Sequence, residues 1–210
     1  MRRLRIRVND ERGMTLVELV VAMGILSIVL LVMTTTLSSI QRAVVEEDVR
    51  GQLNDQARLA MQSIDRLVRS GNILYDPVDE SGNDPFDAAA TGYLFRIYTQ
   101  AQQSNNEEPR CALWLINDQQ QLMYRTWPVL DPDEASDWTI VANGIVNRDL
   151  DEPAFVLDST GRTIAAEFYV NPDLGHRPKA TQVVRASLTG RNTSFGYPFQ
   201  LCETLPDPLI

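Results

Sequence analysis

The chain has 210 residues, 19 Lys+Arg, 28 Asp+Glu, a formal charge of −9 and 44% apolar residues. That composition suits one domain of ordinary size with room for an appendage, and it excludes a disordered or low-complexity chain. The acidic balance argues against nucleic acid as a partner, and one His with two Cys excludes a multi-His metal centre, an all-cysteine zinc site and a disulfide-rich scaffold.

The charges are unevenly placed. Arg2, Arg3, Arg5, Arg7 and Arg12 against Asp10 and Glu11 give residues 1–13 a charge of +3, so the rest of the chain stands at −12. Between Arg12 and Arg42 lie 29 residues, of which Glu18 alone is charged. Leu19 to Met33, LVVAMGILSIVLLVM, carries no charge and offers no polar face. A bilayer core takes roughly 20 apolar residues in a helix. Residues 14–40 are therefore read as a membrane-spanning helix.

The arginine-rich side stays in the cytoplasm, and beyond the span Arg42 is outnumbered by Glu46, Glu47 and Asp48. The body is then extracytoplasmic. A cleaved signal peptide fits poorly, because the run is long and no small-x-small site follows Thr34-Thr35-Thr36-Leu37-Ser38-Ser39. A plain signal anchor leaves Glu18 unexplained. A carboxylate within the span costs roughly 2.5–3.5 kcal/mol at the centre and less near an end. Such a group wants a cationic partner, and the span supplies none.

Gly13-Met14-Thr15-Leu16-Val17-Glu18-Leu19 resembles the processing motif of type IV prepilins and type II secretion pseudopilins. That pattern is a short basic leader ending in Gly, an apolar residue, usually Phe, then T-L-[VI]-E. Met14 in place of Phe is a mild departure. The resemblance implies that a prepilin peptidase cuts between Gly13 and Met14 and N-methylates Met14. It implies that Glu18, fifth in the mature chain, pairs with the α-amino group of a neighbouring subunit. Cleavage would create a cation at the bilayer edge, where each charge alone is costly and the pair attracts strongly. The partners implied are the peptidase, other minor pilins or pseudopilins, the major subunit and membrane lipid. The location implied is a bacterial inner or cytoplasmic membrane.

Beyond the span, Val45, Val49, Leu53, Ala57, Ala60, Ile64 and Leu67 or Val68 recur at helical spacing. No Pro interrupts residues 14–70, and Gly71-Asn72 gives a stop. Residues 14–70 are predicted as one helix of roughly 85 Å at about 1.5 Å per residue, with 41–70 as its amphipathic half. The apolar stripe is Ala-rich and irregular, which favours packing on the protein's own sheet over a coiled coil.

Residues 71–91 are read as a loop, with 76–91 rich in Asp, Pro, Gly and Ala, and 92–210 as a β-rich globular domain. Strands are predicted at Tyr93–Thr99, Cys111–Ile116, Leu122–Trp127, Trp138–Ala142, Ala154–Leu157, Ile164–Val170 and Gln182–Leu188. Asn117-Asp118-Gln119 joins two of them as a hairpin, and VANGIVN at 141–147 is a strand end with a Gly turn. The class is α+β, pilin-like: a long N-terminal helix packed on a mainly antiparallel body. The order of long helix, Asp/Pro loop, hairpin, VANGIVN and a late VVRASLTGRN strand resembles the PilW and J-type minor pseudopilin group.

Cys111 begins a strand and Cys202 lies in the tail. A bond between them would tie that tail to the sheet, and an oxidising compartment permits it. Two buried, unpaired thiols are the alternative. Asp76, Asp79, Glu80, Asn83, Asp84 and Asp87 crowd one loop with oxygen donors of the kind Ca²⁺ takes, but without the EF-hand spacing. A solvated acidic loop is the plainer reading, and the same holds for Asp131, Asp133, Glu134 and Asp137. His176 sits in a Pro/Gly loop without a nucleophile motif, Ser159-Thr160-Gly161 lacks an elbow context, and Asn192-Thr193-Ser194 is a short sequon. No cofactor is expected.

These observations favour a non-enzymatic structural subunit, a minor pilin or pseudopilin that initiates or caps a filament. An uncleaved, membrane-anchored extracytoplasmic binding domain is the main rival. An anchored hydrolase built on Asp131 and Asp137 has no motif behind it.

Overall fold

The computed structural model describes residues 14–100, 109–190 and 201–206. The chain forms two units, Met1–Glu47 and Asp48–Ile210. One helix, α1 (Leu16–Ser70), contributes to both.

In the first unit every described side chain through Val45 is exposed. The helix is long and apolar enough to cross a membrane. Its hydroxyls are turned back onto its own carbonyls. Ser27 Oγ donates to Met23 O at 2.8 Å, Thr35 Oγ1 to Leu31 O at 3.0 Å and Thr36 Oγ1 to Val32 O at 2.8 Å. A Thr run inside an apolar segment therefore leaves no side-chain donor seeking water.

In the second unit the C-terminal part of α1 buries Ala57, Ala60, Met61, Ile64, Leu67 and Val68. This is the predicted stripe, with one correction at its start. Val45 and Val49 remain 64% and 40% exposed. Packing begins at Leu53, whose Cδ1 lies 3.0 Å from where a side chain at Gly144 would stand. Gly144 has φ +69°, so both the turn and the close approach of Leu53 select glycine there.

Five antiparallel strands form one sheet in chain order: β1 (Gly71–Leu74), β2 (Leu94–Thr99), β3 (Arg110–Ile116), β4 (Gln121–Pro128) and β5 (Thr139–Asn143). A second sheet orders β6 (Phe155–Leu157), β7 (Thr163–Val170) and β8 (Gln182–Thr189). All seven predicted strands are present. β1 was not predicted and replaces the start of the expected 71–91 loop. The chain leaves the helix at Gly71 and pairs at once with β2, Gly71 opposite Thr99 and Leu74 opposite Ile97. The β3–β4 turn falls where expected, with Asn117 Oδ1 accepting from the Gln119 and Gln121 N–H groups at 3.0 and 2.9 Å.

The larger sheet is covered on both faces. Phe95, Ile97, Ala112, Trp114, Ile116 and Leu122 share one core with the buried face of α1 and with Phe155, Ile164 and Phe168 of the second sheet. Phe95 stands 5.7 Å from Trp114 and 5.3 Å from Phe155. Ring stacking thus links the two sheets. The opposite face presents Leu94, Tyr98, Cys111, Leu113, Leu115 and Trp127 to Leu201, Cys202 and Leu205. Burial on both sides explains why CALWLI reads as a continuous apolar run rather than an alternating one. Asn147 fastens the sheets further: its amide donates to Glu167 O at 2.9 Å and accepts from Tyr169 N–H at 3.0 Å.

Cys111 and Cys202 form a disulfide across 91 residues, with their Cα atoms 5.8 Å apart. It holds the tail against the second face of the large sheet. Closing a loop of that length contributes about 4–5 kcal/mol in the chain-entropy model, and measured losses run about 2–5 kcal/mol. A Cys111→Ser, Cys202→Ser double variant is expected to unfold at clearly lower urea concentration than the wild type. An unchanged midpoint would show that the tail is held by packing alone.

Candidate functional site

Gly13 lies outside the described residues. Met14 precedes the helix and is 68% exposed. Thr15 is the residue on which the helix starts. Its Oγ1 accepts from Glu18 N–H at 3.3 Å, and its carbonyl accepts from Leu19 N–H at 3.1 Å. Thr15-x-x-Glu18 is the sequence pattern of a capping box, and its first half is formed. α1 therefore begins at Leu16 rather than at Met14, because a capping residue must itself be non-helical. The pattern was available in the sequence as a helix start signal.

Glu18 is the acidic residue in the first turn of α1. There it meets the positive end of the helix dipole. Its neighbours Leu16, Val17, Val20 and Val21 are all apolar and exposed. The result is one carboxylate on an otherwise apolar helical surface. Such a group does no bond chemistry by itself; it can receive a cation.

The acidic loop is employed differently. Glu80 is buried and paired with Arg96, whose other amino group donates to the carbonyl of Cys202. The Arg96 guanidinium lies 4.1 Å from the centre of the Tyr75 ring. Burial pushes the Tyr75 phenol up to about 12, so it remains a donor, and it bonds Leu201 O. Asp84 pairs with Arg148, which spans 4.6 Å to the Tyr93 ring and donates to Ile116 O. Asp76 and Asp87 accept from the backbone N–H groups of Val78 and Ala89 at 3.0 and 2.9 Å. Asn83 donates to Glu80 at 2.9 Å, and Asp79 donates its N–H to Asp76 O at 3.0 Å. Among the described residues no three His, Cys, Asp or Glu side chains converge as a metal site.

The other sequence candidates are dispersed. Asp131, Asp133, Glu134 and Asp137 are exposed around the short turn Pro132–Glu134. His176 Nδ1 lies 2.7 Å from Asp173 Oδ1 in an exposed loop. Ser159-Thr160-Gly161 is the β6–β7 turn, organised by Asp158. The Thr160 hydroxyl, then the Thr163 and Arg162 N–H groups, hold the Asp158 carboxyl below its usual range. Asn192 lies outside the described residues. Sequence reasoning missed three arginines: Arg96, Arg125 and Arg148. Arg125 donates to Pro206 O at 2.6 Å and lies 4.5 Å from the centre of the Trp138 ring. For Arg96 and Arg125 the signal was an arginine set inside an apolar strand, LFRIYT and LMYRTW, in a chain with carboxylates to spare; Arg148, in NRDL, carried no such signal.

Residues 8–34 match the prokaryotic N-terminal methylation motif. The match spans the end of the basic head, Gly13, Met14, Glu18 and the apolar run as far as Thr34. The motif makes the chain type IV pilin- or pseudopilin-like, and it implies processing by prepilin peptidase and assembly with other pilins. Proteins of this kind are structural rather than enzymatic. The motif and the apolar helix fit a single-pass membrane anchor. No curated protein and no solved structure matches the chain.

Proposed function

We propose that this chain is a minor pilin or pseudopilin, a structural subunit that initiates or caps a type IV pilus or a type II secretion pseudopilus. The observation that carries the reading is the coincidence of the methylation motif with a helix start bearing one carboxylate on an apolar surface. In this reading residues 1–13 stay cytoplasmic and are removed. Met14 becomes the methylated amino terminus, 14–40 lies in the membrane, and the body is extracytoplasmic. Glu18 then receives the α-amino group of a neighbouring subunit. The disulfide supports the extracytoplasmic placement, because such bonds persist in oxidising compartments. The order of long helix, acidic loop, hairpin, VANGIVN and late strand supports a place in the PilW and J-type group.

Mass analysis of the amino terminus tests the reading. A chain starting at methylated Met14 is expected, and an intact Met1-Arg2-Arg3 start would favour the uncut anchor. Gly13→Val is expected to leave only the longer precursor, because a branched side chain crowds the peptidase at the cut. Appearance of the short form in that variant would place the cut elsewhere.

A further inference from the structure

Among the described residues, β8 is an edge of the three-stranded sheet β6-β7-β8. Its pairing with β7 runs unbroken from Thr163 opposite Thr189 to Val170 opposite Gln182. It contains no Pro and no bulge, and its one charge, Arg185, is tied to Glu167 of β7. The direction of its backbone groups is fixed by one bond beyond it: Gly190 N–H donates to Arg162 O at 2.8 Å. Groups alternate along a strand, so Leu188, Ala186, Val184 and Gln182 also face β7. β7 agrees, because Thr163 O and Glu167 N–H are engaged on its opposite side, by Asp158 and Ala154. Val183, Arg185, Ser187 and Thr189 therefore turn their N–H and C=O groups outward. Among the described residues, no hydrogen bond engages these outward backbone groups.

This edge lines a groove of about 570 Å³ whose other wall is the α1 face with Arg58, Met61, Asp65 and Arg69. The charges there are nearly balanced. Arg69 pairs with Asp65 and Arg185 pairs with Glu167, each at 2.7 Å. Arg58 is exposed and has no ion-pair partner among the described residues. We infer that β8 is a docking edge for an extended segment of a different protein, which adds as a strand and places a carboxylate at Arg58. Main-chain bonds supply the affinity in this mode, and side-chain complementarity supplies the selection. A second copy of this chain fits poorly. One central antiparallel register sets Arg185 opposite Arg185, where like charges are destabilising, and in no register does QVVRASLT supply a carboxylate for Arg58. The inference goes beyond the proposed function and does not depend on leader processing.

The test uses the full chain in detergent and amide exchange followed by NMR. The probes are a blocked octapeptide of alternating threonine and valine with one central glutamate, and its lysine counterpart. The glutamate peptide at millimolar concentration is expected to slow exchange at Val183, Arg185, Ser187 and Thr189 at least tenfold. The lysine peptide should have little effect. Ser187→Pro removes an outward N–H without touching the β7 ladder, so it should keep the wild-type Tm and lose the response. The proposal is overturned if the four amides already exchange slowly in the chain alone. It is equally overturned if the glutamate peptide has no effect, if both peptides act alike, or if Ser187→Pro still responds. Slowing that grows with the chain's own concentration would replace the partner with a second copy. Should Ser187→Pro lose its fold, the peptide comparison on the wild-type chain decides alone.

Discussion

Glu18→Ala is expected to enter the membrane and to be cut like the wild type, yet to fail to co-purify with other filament subunits. Alanine keeps the helix and suits an apolar surface, so insertion is unharmed or slightly easier. What disappears, in the proposed assembly, is the counter-charge for a neighbour's α-amino group. Two unit charges about 4 Å apart attract by about 4 kcal/mol at an effective dielectric constant of about 20. Removing one partner of a buried pair costs about 3–5 kcal/mol, because the other is left unpaired. That corresponds to a loss in association of roughly a hundredfold or more. Crosslinking at matched membrane levels reads it directly. The capping bond refines the expectation: Thr15 Oγ1 bonds the Glu18 backbone N–H, which alanine retains, so the helix start survives. Unchanged association would remove Glu18 from the interface. Failed insertion would give it a different role.

The second large effect lies in the body. Glu80→Ala is expected to destabilise the fold by about 3–5 kcal/mol, because it leaves the Arg96 guanidinium buried without its carboxylate. The Arg96 and Glu80 side chains are only 8% and 3% exposed, so water cannot replace the lost partner without opening the site. Removing both charges behaves differently. Glu80→Leu with Arg96→Met should recover most of the loss, since an apolar pair of similar volume often matches a buried ion pair. It should not recover all of it, because the Cys202 carbonyl loses its Arg96 donor. Urea unfolding of the three proteins measures the pattern. A Glu80→Ala midpoint equal to that of the wild type would mean the loop rearranges around Arg96.

The acidic loop marks where reading by composition stops. Six carboxylate or amide side chains from Asp76 to Asp87 look alike in sequence, as solvated surface or as a cation site. In the structure Glu80 and Asp84 are buried, because each meets an arginine from a distant part of the chain: Arg96 on β2, and Arg148 beyond β5. Arg96 was visible only as an anomaly within an apolar strand, and Arg148 stands in the polar run Asn147-Arg148-Asp149. Nothing local to either residue names its partner.

The amino-terminal features were determined by the sequence alone. Charge asymmetry, the uncharged run Leu19 to Met33, the lone Glu18 and the Gly13-Met14 junction are all local in the chain. A helix closes its own hydrogen bonds, so its existence can be read without knowing what it touches. The same holds for the seven strands and for the 117–120 turn, whose signals span only a few residues. The tertiary structure decided the rest. It added β1, whose four residues are ordered by pairing with β2 rather than by their own preference. It covered both faces of the large sheet, bringing Cys202 and the tail onto Cys111 across 91 residues. It also left β8 at an edge, which no property of QVVRASLT announces. Pairing, register and burial of charge depend on contacts between residues far apart in sequence. Those contacts become definite only when the hydrophobic core fixes which elements are neighbours.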